Sequence, residues 1–156
     1  MTQATNPGRR ATATIRRNDP NMSESVKVLV FSDDRTVRES VRLALGRKVA
    51  SDLPDIEVLE VATQGALLRT LDAGTDYALM IFDGNAQPSG GFGLAHQVKE
   101  EYADCPPVLL LVTREADAWL ASWSRAEAVA PFPIDPVTLP QQAAFLIRAR
   151  LAAVAE

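Results

Sequence analysis

The chain of 156 residues carries 16 Lys+Arg against 20 Asp+Glu, a formal net charge of -4, and is 47% hydrophobic and 23% charged. This is the balance of an ordinary globular domain, long enough to bury one substantial core without disulfides or a structural metal. It excludes the strongly basic field of a general nucleic-acid binder and disorder throughout, and no run approaches the ~18 apolar residues of a membrane span.

Residues 1–25 are rich in Thr, Asn, Ser, Ala and Arg, lack helical or strand periodicity, and read as a disordered leader. The pairs Arg9/Arg10 and Arg16/Arg17 are not followed by an apolar segment, so they do not read as an export signal, and a cytoplasmic protein is expected. Residues 26–153 read as the folded domain.

VKVLVF (Val26 to Phe31) is a short β-branched apolar run, a strand, and RTVRESVRLALGR (Arg35 to Arg47) spaces its apolar residues as a helix. IEVLEVA (Ile56 to Ala62) is a second strand, and QGALLRTLDAG a short helix closing at Gly74. YALMIFD (Tyr77 to Asp83) is a third strand, apolar almost throughout and so buried on both faces. FGLAHQVKEEYA (Phe92 to Ala103) is a third helix; His96, the only histidine, lies within it and cannot build a His-rich metal site. Cys105, the only cysteine, forms no intrachain disulfide and, beside Pro106 and Pro107, reads as a packing residue rather than a nucleophile. PVLLLVT (Pro107 to Thr113) gives a fourth strand, EADAWLASWSRA (Glu115 to Ala126) a fourth helix and AEAVAPF (Ala126 to Phe132) a weak fifth strand. A last helix follows Pro136, with Pro140 in its first turn, where a missing amide is tolerated.

Five strands alternating with five helices call for a doubly wound parallel sheet with helices on both faces, a three-layer α/β/α domain of flavodoxin-like strand order 2-1-3-4-5. Ligand chemistry in such sheets gathers beyond the carboxyl ends of the strands. Asp83 ends the third strand, Asp33 and Asp34 follow the first, and Thr113 ends the fourth. Converging carboxylates repel one another, and a divalent cation relieves that repulsion; oxygen ligands without His or Cys favour Mg²⁺. A carboxylate beside Mg²⁺ can attack a phosphoryl group, which makes Asp83 a candidate nucleophile, with the Thr113 hydroxyl able to bond a phosphoryl oxygen. For Asp33, Asp34 and Thr113 the competing reading is a helix N-cap.

VKVLVFSDDRTVRESVRLAL, YALMIFDGNAQPSGGFGLAHQVK, PPVLLLVTREAD and AVAPFPIDPVTL, in this order, resemble the receiver domains of two-component response regulators over about Val26 to Leu151. The resemblance implies phosphoryl transfer from a histidine kinase or another phosphodonor to Asp83. It also implies Mg²⁺ held by acids after the first strand, by Asp83 and by the backbone carbonyl of Asn85. The usual pair of acids falls on Ser32 and Asp33, so Asp33 is the expected direct ligand, and Asp34 substitutes for the first acid only if its loop shifts. Thr113 matches the hydroxyl residue that turns toward the phosphoryl group.

Other positions depart from the family pattern. The lysine expected before Pro131 is Ala130, and the aromatic expected three residues earlier is Glu127. Arg114 stands where a small residue is usual, either replacing the lost lysine charge or covering the site. The loop after Asp83 is one or two residues longer than usual.

Trp119 and Trp123 lie four residues apart on one helical face. Either they pack on the sheet, or Leu120 takes the inward position and leaves them exposed as a protein-binding patch.

The expectation is a non-enzymatic, atypical single-domain response regulator acting on an unidentified protein target, with impaired Mg²⁺-dependent phosphorylation of Asp83. A phosphorylation-independent pseudo-receiver is the alternative within the fold. A small Mg²⁺-dependent phosphatase with an aspartate nucleophile is disfavoured because the position of its general acid is Asn85. SDDRTV lacks the glycine-rich loop of a nucleotide-binding site. Direct DNA binding and membrane insertion are not expected. Receivers often dimerise through the fourth helix, fifth strand and fifth helix, but a face with Glu127 and two tryptophans need not do so.

Overall fold

The computed structural model describes residues 25–87, 90–113 and 118–155. The leader and Arg114 therefore lie outside the described residues, apart from Ser25 at the leader's end. Among those described, β1 (Val26–Phe31), β2 (Ile56–Val61), β3 (Leu79–Asp83), β4 (Val108–Val112) and β5 (Ala128–Pro131) alternate with α1 (Arg35–Leu45), α2 (Gln64–Asp72), α3 (Gly91–Glu101), α4 (Ala118–Ser124) and α5 (Thr138–Ala155). The sheet has the order β2-β1-β3-β4-β5, and every pairing is parallel.

Every residue of β3 and β4 is buried, which explains why these segments read as continuous apolar runs without alternation. The alternation is still present, but it divides two cores. Val28, Val30, Leu79, Ile81, Leu109 and Leu111 face one cluster completed by Val41 and Leu45 of α1 and Leu139, Ala143 and Ile147 of α5. Leu29, Phe31, Met80, Phe82 and Leu110 face the other, completed by Leu67 of α2 and Phe92, Leu94, Ala95 and Val98 of α3. Phe31 and Phe82 meet edge to face at 5.8 Å, a contact worth about 1 kcal/mol beyond its buried area.

Local chemistry sets the ends of the elements. Asp34 caps α1 by accepting from the Thr36 amide. Gly46, at φ 66, stops the helix at Leu45, two residues before the predicted end. Asp135 accepts from the Val137 and Thr138 amides ahead of α5, and these bonds hold its carboxyl below the usual range. Pro140 falls at the third position of α5, within the first turn. β3 begins at Leu79 rather than Tyr77, because its pairing with β1 starts at Val28; Tyr77 is nevertheless buried, in the second core. Within the described residues α4 runs from Ala118 to Ser124, ending two residues before the predicted Ala126. No described helix is long and apolar enough to cross a membrane.

Candidate functional site

Asp83 is the last residue of β3 and is 3% exposed. A buried carboxylate requires hydrogen-bond donors, and both of its oxygens have one. Oδ1 accepts from the Asn85 amide at 2.8 Å, and Oδ2 accepts from the Ser32 hydroxyl at 2.7 Å. Ser32 is fully buried just beyond β1, where its amide extends the β1–β2 ladder to the Val61 carbonyl at 3.2 Å. Its Oγ also accepts from the Asp34 amide at 3.0 Å, and its carbonyl accepts from Arg38 Nη1 at 2.7 Å. Arg38 is in turn held by Glu60 at 3.1 Å.

Glycine permits the close approach that builds the floor. The Gly84 amide donates to the Leu111 carbonyl at 2.9 Å. A methyl group on Gly91, the first residue of α3, would lie 2.5 Å from the Asp83 carbonyl oxygen. The backbone of α3 thus abuts that of Asp83 with no room for a side chain.

Above Asp83 opens a cleft of about 370 Å³ lined by Asp33, Asp34, Val37, Asp83, Asn85, Thr113 and Phe132. The sequence-predicted Asp33, Asp34, Asp83, Asn85 and Thr113 are thus brought together. Asp34 is committed through Oδ1 to the α1 cap, and its neighbour Asp33 is exposed in the same loop and is not the cap. No group of three Asp, Glu, His or Cys side chains clusters as a metal site among the described residues. The donor set of Asp33, Asp83 and nearby backbone oxygen still suits Mg²⁺, which commonly takes only one or two carboxylates and completes its shell with water and phosphate oxygen.

Ala130 and Glu127 occupy different places from those their sequence positions suggest. Ala130 is 3% exposed and packs in the first core, one strand step short of the cleft. Phe132, two residues on and packed against the same core, continues the ladder by donating to the Val112 carbonyl at 2.9 Å, and it is Phe132 that reaches the cleft. The residue at cleft level before a proline is therefore Phe132, before Pro133, and three residues earlier stands Val129, at the surface. Glu127 accepts from the Val108 amide at 2.7 Å and from Lys99 Nζ, joining β4, β5 and α3.

On α4, Leu120 packs against the second core, leaving Trp119 67% and Trp123 47% exposed. Trp123 stacks on His96 of α3 with ring centroids 4.1 Å apart, and the His96 Nδ1 lies 3.0 Å from the Trp123 carbonyl. Cys105 is half-buried, and burial raises its thiol pKa, which makes it a poorer nucleophile.

Residue-level reading missed the Ser32–Asp83 bond and Phe132. The signals were Ser32 in an acid's place and the second X-Pro pair, Phe132-Pro133.

No family model matches the chain. An uncharacterised response regulatory protein of Mycobacterium tuberculosis, from strains CDC 1551 and H37Rv, is 48% identical over 130 residues, covering 83% of this chain and 97% of its own length. Among solved structures, the fold is similar to a CheY-like receiver domain protein of Methanospirillum hungatei (TM-score 0.65, 15% identity, 83% of this chain and 99% of that one). It is also similar to a Francisella receiver domain (0.67, 15%, 80% and 98%) and to a chemotaxis response regulator of Vibrio cholerae (0.63, 20%, 79% and 99%). With this sheet order and this near-complete alignment to its mycobacterial relative, the chain belongs to the response regulator family and folds as its receiver domain.

Proposed function

We propose that this receiver is an atypical response regulator that acts by binding a protein partner, with Asp83 a phosphoacceptor of reduced efficiency. The observation that carries the reading is the position of Asp83: buried at a strand end, held through both oxygens, and opening on a cleft shared with Asp33 and Thr113. In this reading a carboxylate oxygen of Asp83 attacks the phosphorus of a histidine kinase phosphohistidine or a small phosphodonor, and the donor's leaving group departs. The Thr113 hydroxyl donates to a phosphoryl oxygen. Asp33, Asp83 and the Asn85 carbonyl would hold Mg²⁺, which supplies positive charge between the carboxylate and the incoming phosphate.

Efficiency is reduced because Phe132 brings no cation to the cleft. A missing charge-assisted contact costs about 1.5–3 kcal/mol, so phosphate and conformation are loosely coupled. Arg114 follows Thr113 directly; a shorter adduct lifetime in Arg114→Ala would assign it the compensating charge. The partner surface in this reading is the face of α4 bearing Trp119 and Trp123, since paired exposed aromatics favour protein contact.

A second reading, partner binding regardless of phosphate, is favoured by one observation: an apolar ring lines the cleft where an anion must sit. Intact mass after incubation with Mg²⁺ and acetyl phosphate decides between them. A phosphoryl-sized gain in wild type that is absent in Asp83→Ala supports the first reading, and no gain in either supports the second.

A further inference from the structure

We propose that Ser32 is a positioning residue that holds the Asp83 carboxylate in place of a cation, so that its hydroxyl and a divalent metal compete for Asp83 Oδ2. The inference deepens the proposed function and rests on it in one respect, that the cation binds beside Asp83.

Every polar group of Ser32 is engaged. Its amide bonds to Val61, its carbonyl accepts from Arg38, and its Oγ accepts from the Asp34 amide while donating to Asp83. With the acceptor side of Oγ occupied by that amide, the hydroxyl proton is directed at Asp83 Oδ2, 2.7 Å away. An acid at this position would repel Asp83 and call for a cation to bridge the two. A hydroxyl does the reverse, because it satisfies the buried anion with a proton donor and needs no metal. For a cation to take Oδ2, the hydroxyl proton must turn away, and Arg38 together with the Asp34 amide restrains the loop against that change. The competition follows from linkage: a bond present only in the metal-free state weakens metal binding by its own strength.

The test is Mg²⁺ affinity by titration calorimetry, with Tm measured with and without saturating Mg²⁺, for wild type, Ser32→Ala, Ser32→Thr, Ser32→Asp and Asp83→Ala. Ser32→Ala is expected to bind Mg²⁺ about tenfold more tightly than wild type, the loss of one such bond expressed as an affinity, and to gain more Tm from the metal. Ser32→Asp should exceed it, and Ser32→Thr, which keeps the hydroxyl, should restore wild-type behaviour. If Ser32→Ala lowers Tm equally with and without Mg²⁺ at unchanged affinity, while Asp83→Ala abolishes binding, Ser32 merely packs the loop and this proposal alone falls. Unchanged Mg²⁺ affinity in Asp83→Ala overturns both this proposal and the metal site proposed above. Competition without a phosphoryl adduct in any variant sustains the role of Ser32 and overturns the phosphoacceptor reading. Where Ser32→Ala does not fold, Ser32→Cys, which keeps the volume but donates only weakly through its thiol, makes the same comparison against Ser32→Thr.

Discussion

Phe132 and Asp83 line one cleft from the ends of β5 and β3, whereas Ala130, two residues before Phe132, is sealed in the core. Lysine substitutions at the two positions should therefore have opposite effects. Phe132→Lys places an ammonium at the cleft and should raise the yield or lifetime of the Asp83 phosphoryl adduct by roughly tenfold. Ala130→Lys buries an unpaired amine and should destabilise the fold by about 3 kcal/mol or more. Adduct decay by mass and urea unfolding of both variants check the pair.

Gly91→Ala forces a methyl group against the Asp83 carbonyl. Backbone must move to relieve the contact, so a loss of about 1–3 kcal/mol is expected, together with slower adduct formation because the Asp83 carboxylate moves with its backbone. Gly93→Ala, where an added methyl meets nothing within 4 Å, is the control; as a solvent-facing glycine within a helix it should be neutral or slightly stabilising.

The order of the elements and the convergence of Asp83, Asp33 and Thr113 were legible in the sequence, because strand runs and strand-end carboxylates follow from burial and from parallel topology. The choice between Ala130 and Phe132 was not. Both precede a proline, and only the register of β5 on β4, with Leu111 opposite Ala130 and Val112 opposite Pro131, decides which residue reaches the cleft. The resemblance already favoured Asp33 over Asp34 as the metal ligand, but which of the two caps α1 stayed open until the Thr36 amide selected Asp34. The two tryptophans turned on a packing contest with Leu120 that periodicity alone leaves tied.

Arg148 on α5 grips Asp52, in the α1–β2 loop, through Nε and Nη2 at 2.8 Å each, and holds its carboxyl down at about 2. A free aspartate titrates at about 3.9. The contribution of this pair is therefore fully present above a pH of about 4 and is lost as pH falls through about 2. The Tm difference between wild type and Asp52→Asn should be constant at neutral pH and shrink toward zero across that window. The pair is solvent-exposed, so the difference should be small and should narrow further in high salt.

Trp123 and Trp119 share an exposed face, but among the described residues a ring stack is recorded only for Trp123. Trp123→Ala should cost about 1 kcal/mol by losing the His96 stack, while Trp119→Ala should change stability by no more than about 0.5 kcal/mol. Both should weaken partner binding if this face is the docking surface; denaturant midpoints and affinity for a captured partner separate the two effects.

The hydrogen bond between Ser32 and Asp83 joins residues 51 positions apart, and it exists only because β1 lies between β2 and β3 in the sheet. During synthesis β1 is complete long before β3 is made, so the VKVLVF segment must remain without one of its two lateral neighbours until the later strand emerges. Pairing at such separation is slow compared with helix formation. The Asp83 carboxylate is thus held half by its own loop, through the Asn85 amide, and half by a long-range closure, so a peptide spanning β3 and its following turn keeps the first donor and lacks the second.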